Sequence, residues 1–161
     1  MNVRAAATWF LTVAASWFLM QAVHELGHVL GAWATGGTVV RVVLDPRAIS
    51  RTDVAPNPAP LAVAWAGPLL GIGIPVLLAA ALKRFASRAC GNYATFFAGF
   101  CLVANGAYIG FGSWEGVGDA GDMLRNGSPR WLLVAFGAAA CVAGLWMWHT
   151  LGRDNRQPKT V

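Results

Sequence analysis

Apolar residues gather in four long runs separated by short polar stretches. A helix needs about 20 predominantly apolar residues to cross a hydrocarbon core about 30 Å thick, and the pattern predicts spanning helices over about 6–34, 61–82, 93–111 and 131–151. Gly36 and Gly37 form a plausible stop for the first, because glycine accepts the left-handed conformation of a helix cap. The second contains "AWAGPLLGIGIP", whose glycines and prolines weaken a soluble helix but are common in membrane helices, where small residues let neighbours approach.

The polar stretches carry their own signals. After the first run, β-branched residues around Arg41 suggest a short β-like segment over Val39 to Leu44, with an ordinary loop as the alternative, and the prolines that follow suggest a loop. Lys83, Arg84 and Arg88 make a basic connection between the second and third runs. "GSWEGVGDAGDMLRNGSPR", residues 112 to 130, reads as a polar loop, and the tail from Arg153 onward as a frayed polar end. No internal repeat is visible. The expected fold class is an all-α membrane protein: one polytopic domain over residues 1–161, with about four transmembrane helices and a short β-like segment after the first.

Composition agrees with the pattern. Of 161 residues, 57% are hydrophobic and 12% charged, and the mean hydropathy is +0.53, whereas soluble domains carry about 25% charged residues. The opening "MNVRAAATWFLTVAASWFLMQA" begins like a signal peptide, but its apolar character continues to Ala34, so an uncleaved span is expected. The net charge of +5 is scattered between the runs and forms no patch, which argues against a nucleic-acid partner and for topology-setting charges. With the termini on one side, Arg4, Lys83, Arg84, Arg88, Arg153, Arg156 and Lys159 face Arg41, Arg47, Arg51, Arg125 and Arg130, a small excess for cytoplasmic termini. Cys90, Cys101 and Cys141 lack the close pairing of a disulfide framework or a cysteine zinc site.

One turn of the first run breaks the apolar pattern. "MQAVHELGHVLGAW", residues 20 to 33, holds His24, Glu25 and His28. An acidic or basic residue at mid-helix costs about 2.5–3.5 kcal/mol on insertion scales, and ionisable groups inside a membrane mark functional sites by default. Residues four apart share a helix face, so His24 and His28 can offer their imidazoles to one metal ion with Glu25 beside them. This is the H-E-x-x-H arrangement of zinc metalloproteases, in which the ion lowers the pKa of a bound water and the glutamate accepts its proton.

A catalytic zinc site takes three protein ligands and an open position, so one is missing. From Ala6 to His24 is eighteen steps, about 27 Å of helix, which puts the motif near the far edge of the core, toward the first and third connections. The candidates there are Asp45, Asp53, Glu115, Asp119 and Asp122. His149, beside Trp146 and Trp148 near the opposite end of the fourth run, is expected to be an interfacial residue.

On these residues the chain resembles the site-2 protease family of intramembrane zinc metalloproteases. "HELGH" in a membrane helix, "AGP" at Ala66 to Pro68 in the next, and Asn105 in a third followed by an aspartate loop carry the resemblance over residues 18 to 125. The family core has three spans in this order, with a third ligand from the Asp of an L-D-G-G-x-x-L type motif. Aligned without a gap, "GDAGDML" puts Asp119 at that Asp and Leu124 at its last Leu, while Gly118 and Ala120 stand where the motif has Leu and Gly. Asp122 is the alternative ligand, followed by Glu115.

The resemblance implies Zn2+ held by His24, His28 and Asp119, Glu25 as the catalytic base, and Asn105 as a substrate-binding residue, with a hydrogen bond between helices as its alternative. It also implies that Val39 to Leu44 holds substrate in extended form. The implied activity is hydrolysis of peptide bonds in transmembrane protein substrates within the lipid bilayer, with a prokaryotic cell membrane as the expected location. A catalytically inactive, zinc-binding pseudoprotease that regulates membrane partners is the alternative, suggested by the altered aspartate motif. A haem module is disfavoured because His24 and His28 on one helix face cannot serve as opposed axial ligands.

Overall fold

The computed structural model describes residues 2–45 and 50–154. Arg47, Arg156 and Lys159, counted above for topology, and most of the polar tail lie outside the described residues. The protein is an all-α membrane protein which, among the described residues, has four helices long and apolar enough to cross a bilayer and a short two-stranded sheet after the first. Residues 1–71 and 72–161 form two compact units, with helix α2 running through the boundary.

The first unit begins with α1, Val3–Ala34. Asn2 caps it by accepting a hydrogen bond from the Ala5 amide at 2.8 Å, and the Thr8 and Thr12 hydroxyls bond to carbonyls one turn back, which satisfies polar groups inside an apolar helix. Phe10, Leu11, Leu19 and Trp33 are exposed, whereas Ser16, Met20, Gln21, His24, Glu25, Gly27, His28 and Ala32 are buried. The apolar surface is therefore the outer one, while Ser16, Gln21, His24, Glu25 and His28 face inward.

The helix ends as the sequence suggests. Gly36 takes φ +78° and the Gly37 amide returns to the Ala32 carbonyl at 2.7 Å. The chain then forms a hairpin, β1 (Val39–Val43) antiparallel to β2 (Arg51–Val54), with Val42 opposite Thr52 and Arg41 opposite Asp53. Its second strand corrects the expectation of a loop: "RTDV" has too little apolar alternation to register alone and becomes a strand through its ladder with β1. Helix α2, Pro60–Phe85, opens on a proline, which suits the first helical position because no partner exists there for an amide.

The second unit holds the rest of α2, α3 (Arg88–Glu115), α4 (Gly118–Arg125) and α5 (Arg130–Asp154). Helix α3 packs on α5 through glycines: a Cβ on Gly137 would sit 2.6 Å from the Gly106 carbonyl oxygen, and one on Gly144 would sit 2.7 Å from that of Gly99. Such contact gives a membrane helix pair its dispersion energy without relying on a hydrophobic effect. Lower along the pair, Trp148 Nε1 donates to the Phe96 carbonyl at 2.9 Å while its ring stacks on Phe96. His149 lies beside Trp146, their rings 5.9 Å apart.

Helix α4 corrects the expectation that residues 112 to 130 are all loop. Charged and apolar residues alternate there at helical spacing, so Ala120 and Met123 are buried while Asp122 and Arg125 are exposed. Asp119 in its first turn and Arg125 in its last complement the helix dipole.

Candidate metal centre

In the first unit, His24, Glu25 and His28 occupy the buried face of α1, each less than 10% exposed. The two imidazoles meet edge to face, with Nε2 of His24 and Nε2 of His28 3.1 Å apart. The orientation of His28 is fixed from the other side of its ring, where Nδ1 lies 2.8 Å from the Val63 carbonyl oxygen. A carbonyl only accepts, so Nδ1 carries the hydrogen, and in the neutral form of the ring the lone pair is then at Nε2. Val63 lies on the first turn of α2, so a backbone group of the neighbouring helix sets the tautomer.

The "AGP" segment explains why the helices stand so close. A Cβ on Gly27 would lie 2.5 Å from the Ala66 carbonyl oxygen, and one on Gly31 2.5 Å from the Ala66 methyl. Gly67 is the tightest position: a Cβ there would fall on Nε2 and Cε1 of His28 and 2.9 Å from Nε2 of His24. Glycine at 67 thus makes the space in which the two ring nitrogens converge. Pro68 behind it is fully buried.

Glu25 is 2% exposed and accepts a hydrogen bond at Oε2 from the Thr52 hydroxyl at 2.6 Å. Thr52 sits on β2, opposite Val42, so the hairpin supplies the acid with a partner. Nothing in the sequence marks Thr52 or Val63 for these roles: one lies on an unrecognised strand, and the other acts through its main chain. Asp53, next to Thr52, faces Arg41 and Arg51 at 3.7 and 3.3 Å and belongs to the exposed surface of the hairpin.

Asp45, half-buried just after β1, also lies in the first unit, whereas Asp119, Asp122 and Glu115 lie in the second. Two left-handed glycines, Gly116 (φ +66°) and Gly118 (φ +56°), turn the chain from α3 into α4. A Cβ on Gly118 would fall on the Tyr108 hydroxyl, and the Asp119 amide donates to that hydroxyl oxygen at 3.3 Å. Asp119 is half-buried, at the first turn of a helix clasped to α3 by Tyr108. Asp122 is exposed and ion-paired with Arg125 at 2.6 Å, and Glu115 is exposed. Asn105 is buried, and its Nδ2 donates to the Cys101 carbonyl one turn back at 2.8 Å.

No known family, no characterised protein and no solved structure matches the chain at a significant level. Its chemistry therefore rests on these residues.

Proposed function

We propose that the chain is an intramembrane zinc metalloendopeptidase of the site-2 protease kind, acting on membrane-embedded protein substrates in a prokaryotic cell membrane. The observation that carries the proposal is the convergence of the His24 and His28 Nε2 atoms at 3.1 Å, beside a buried glutamate. Zn–N bonds of about 2.0–2.1 Å in a tetrahedral site separate two nitrogens by about 3.4 Å, within a few tenths of an ångström of that spacing. The Val63 carbonyl on His28 Nδ1 supports it further, because metal-binding imidazoles regularly donate their other N–H to a carbonyl or carboxylate.

The proposed third ligand is Asp119. Its half-buried place at the start of α4 supports that choice over Asp122, which is exposed and paired with Arg125, and over exposed Glu115. A zinc ion held by these groups would acidify a water toward neutral pH and polarise the substrate carbonyl. Glu25 accepts the proton of that water as its oxygen bonds to the carbonyl carbon. The same carboxyl then gives the proton to the amide nitrogen as the C–N bond breaks, leaving an amine and a carboxylic acid that ionises by releasing its own proton to solvent. Thr52 keeps the Glu25 carboxylate in one place through these transfers.

The test is Glu25→Gln, which keeps size and removes the base. Purified wild type should contain zinc and cleave a reconstituted transmembrane substrate; the variant should retain zinc and lose cleavage by at least about 100-fold. Equal rates in the two would overturn the proposal. Zinc bound by a wild type that cleaves nothing would favour the regulatory pseudoprotease suggested by Gly118 and Ala120.

A further inference from the structure

We infer that Gln21 is a substrate-binding residue whose carboxamide pairs with a backbone peptide group of the extended substrate segment, about two residues from the bond that is cut; the inference rests on the protease reading above. Gln21 is 4% exposed. Both its Oε1 and its Nε2 are buried without a hydrogen-bond partner among the described residues. A buried amide lacking both partners is strongly unfavourable, and a leucine of similar size would fill the same space without that cost. The carboxamide is thus a group prepared for a partner that arrives from outside the chain.

Its position says what kind of partner. Gln21 precedes His24 by three residues and Glu25 by four, so all three lie on the buried face of α1. Along the axis the separations are about 4.5 and 6 Å at about 1.5 Å per residue. An extended peptide rises about 3.3 Å per residue, so a strand lying along α1 with its scissile carbonyl at Glu25 brings a peptide group to Gln21 about two residues away.

The chemistry on the two sides matches. A substrate helix unwound for cleavage has N–H and C=O groups that hydrocarbon cannot satisfy. Gln21 offers one acceptor and one donor in a plane, the complement of a peptide N–H and C=O. Each side supplies what the other lacks, and the pairing is indifferent to substrate side chains. The residue would hold a strand in register while leaving sequence choice to other contacts.

The experiment uses full-length zinc-loaded protein and a fluorescein-labelled Leu/Ala transmembrane peptide of about 20 residues with a central Asn-Pro break. Ester analogues replace one amide N–H at a time on either side of the mapped cut. Gln21→Leu should raise KM about tenfold, the worth of one hydrogen bond, with kcat within about twofold and zinc content unchanged. In the Glu25→Gln background it should weaken peptide binding by the same factor, a readout independent of turnover. One ester position should lower wild-type kcat/KM about tenfold yet leave Gln21→Leu unaffected, a coupling that packing alone does not produce.

Gln21→Met, unbranched and of similar volume, serves in the same assays where the leucine variant fails to fold. A leucine or methionine variant with wild-type KM, binding and ester profile would overturn the inference while the protease reading stands. Wild type that leaves the peptide intact would overturn both.

Discussion

The Thr52 hydroxyl donates to the Glu25 carboxylate at 2.6 Å, joining a hairpin strand to a buried acid of α1. A hydrogen bond to a charged group is worth about 1.5–3 kcal/mol, so its loss should loosen the base without touching the imidazoles. Thr52→Val is expected to lower kcat by about tenfold or more with KM and zinc content unchanged, and Thr52→Ser to restore the rate. The bond itself can be followed directly. The chain has only two glutamates, Glu25 and Glu115, so carbon-13 glutamate in a Glu115→Gln background labels one carboxylate, whose infrared stretch should shift in Thr52→Val and return in Thr52→Ser. An unshifted band at a wild-type rate would sink the assignment.

Gly67 has no room for a methyl group. In Gly67→Ala the added Cβ meets the His28 ring, which must rotate away from His24 and from the Val63 carbonyl. Misaligning a ligand in this way costs about 10–100-fold in metal affinity, measurable by zinc competition with a chelator. Gly73→Ala is the control, because a Cβ there meets nothing within 4 Å. Equal affinities in the two variants would contradict the geometry.

The third ligand separates by single substitutions. Asp119→Ala should lose zinc, while Asp122→Ala and Glu115→Ala retain it. The Asp122–Arg125 pair is exposed on both sides, and such surface pairs contribute about 0–1 kcal/mol, so Asp122→Ala should also unfold like wild type. Zinc lost from Asp122→Ala instead would transfer the role.

The α3 and α5 pair makes a prediction about stability alone. In Gly137→Leu the side chain would be driven into the Gly106 carbonyl and the Gly110 backbone. Overpacking of this sort costs about 1–3 kcal/mol or more, to be read as an earlier unfolding transition in detergent. Gly152→Ala, with open space around it, should unfold like wild type.

The spanning helices were legible because a bilayer imposes one length on every apolar run, and they differ from the prediction mainly where polar residues extend a helix beyond the hydrocarbon, as Lys83, Arg84 and Arg88 do. His24, Glu25 and His28 were legible because charge inside such a run is conspicuous. Thr52 was not, since its strand exists only through pairing with β1. Val63 was not, since a carbonyl has no signature in sequence. Helix α4 was masked by its glycines, which look like loop residues yet supply the left-handed turn into it and the close approach to Tyr108. Gln21 stands in the same quoted segment as the histidines, and only its lack of partners among the described residues sets it apart.

The contacts that steady His28 come from main-chain atoms of α2, the Val63 carbonyl and the backbone at Gly67. A mutational map of this stretch will therefore run opposite to that of an ordinary helix surface. Trimming Val63 to alanine leaves its carbonyl in place and should spare zinc affinity whatever it costs in packing, while one methyl added four positions later should weaken it. A survey that looks for function by deleting side chains would overlook the wall of the site, because that wall is built from main-chain atoms.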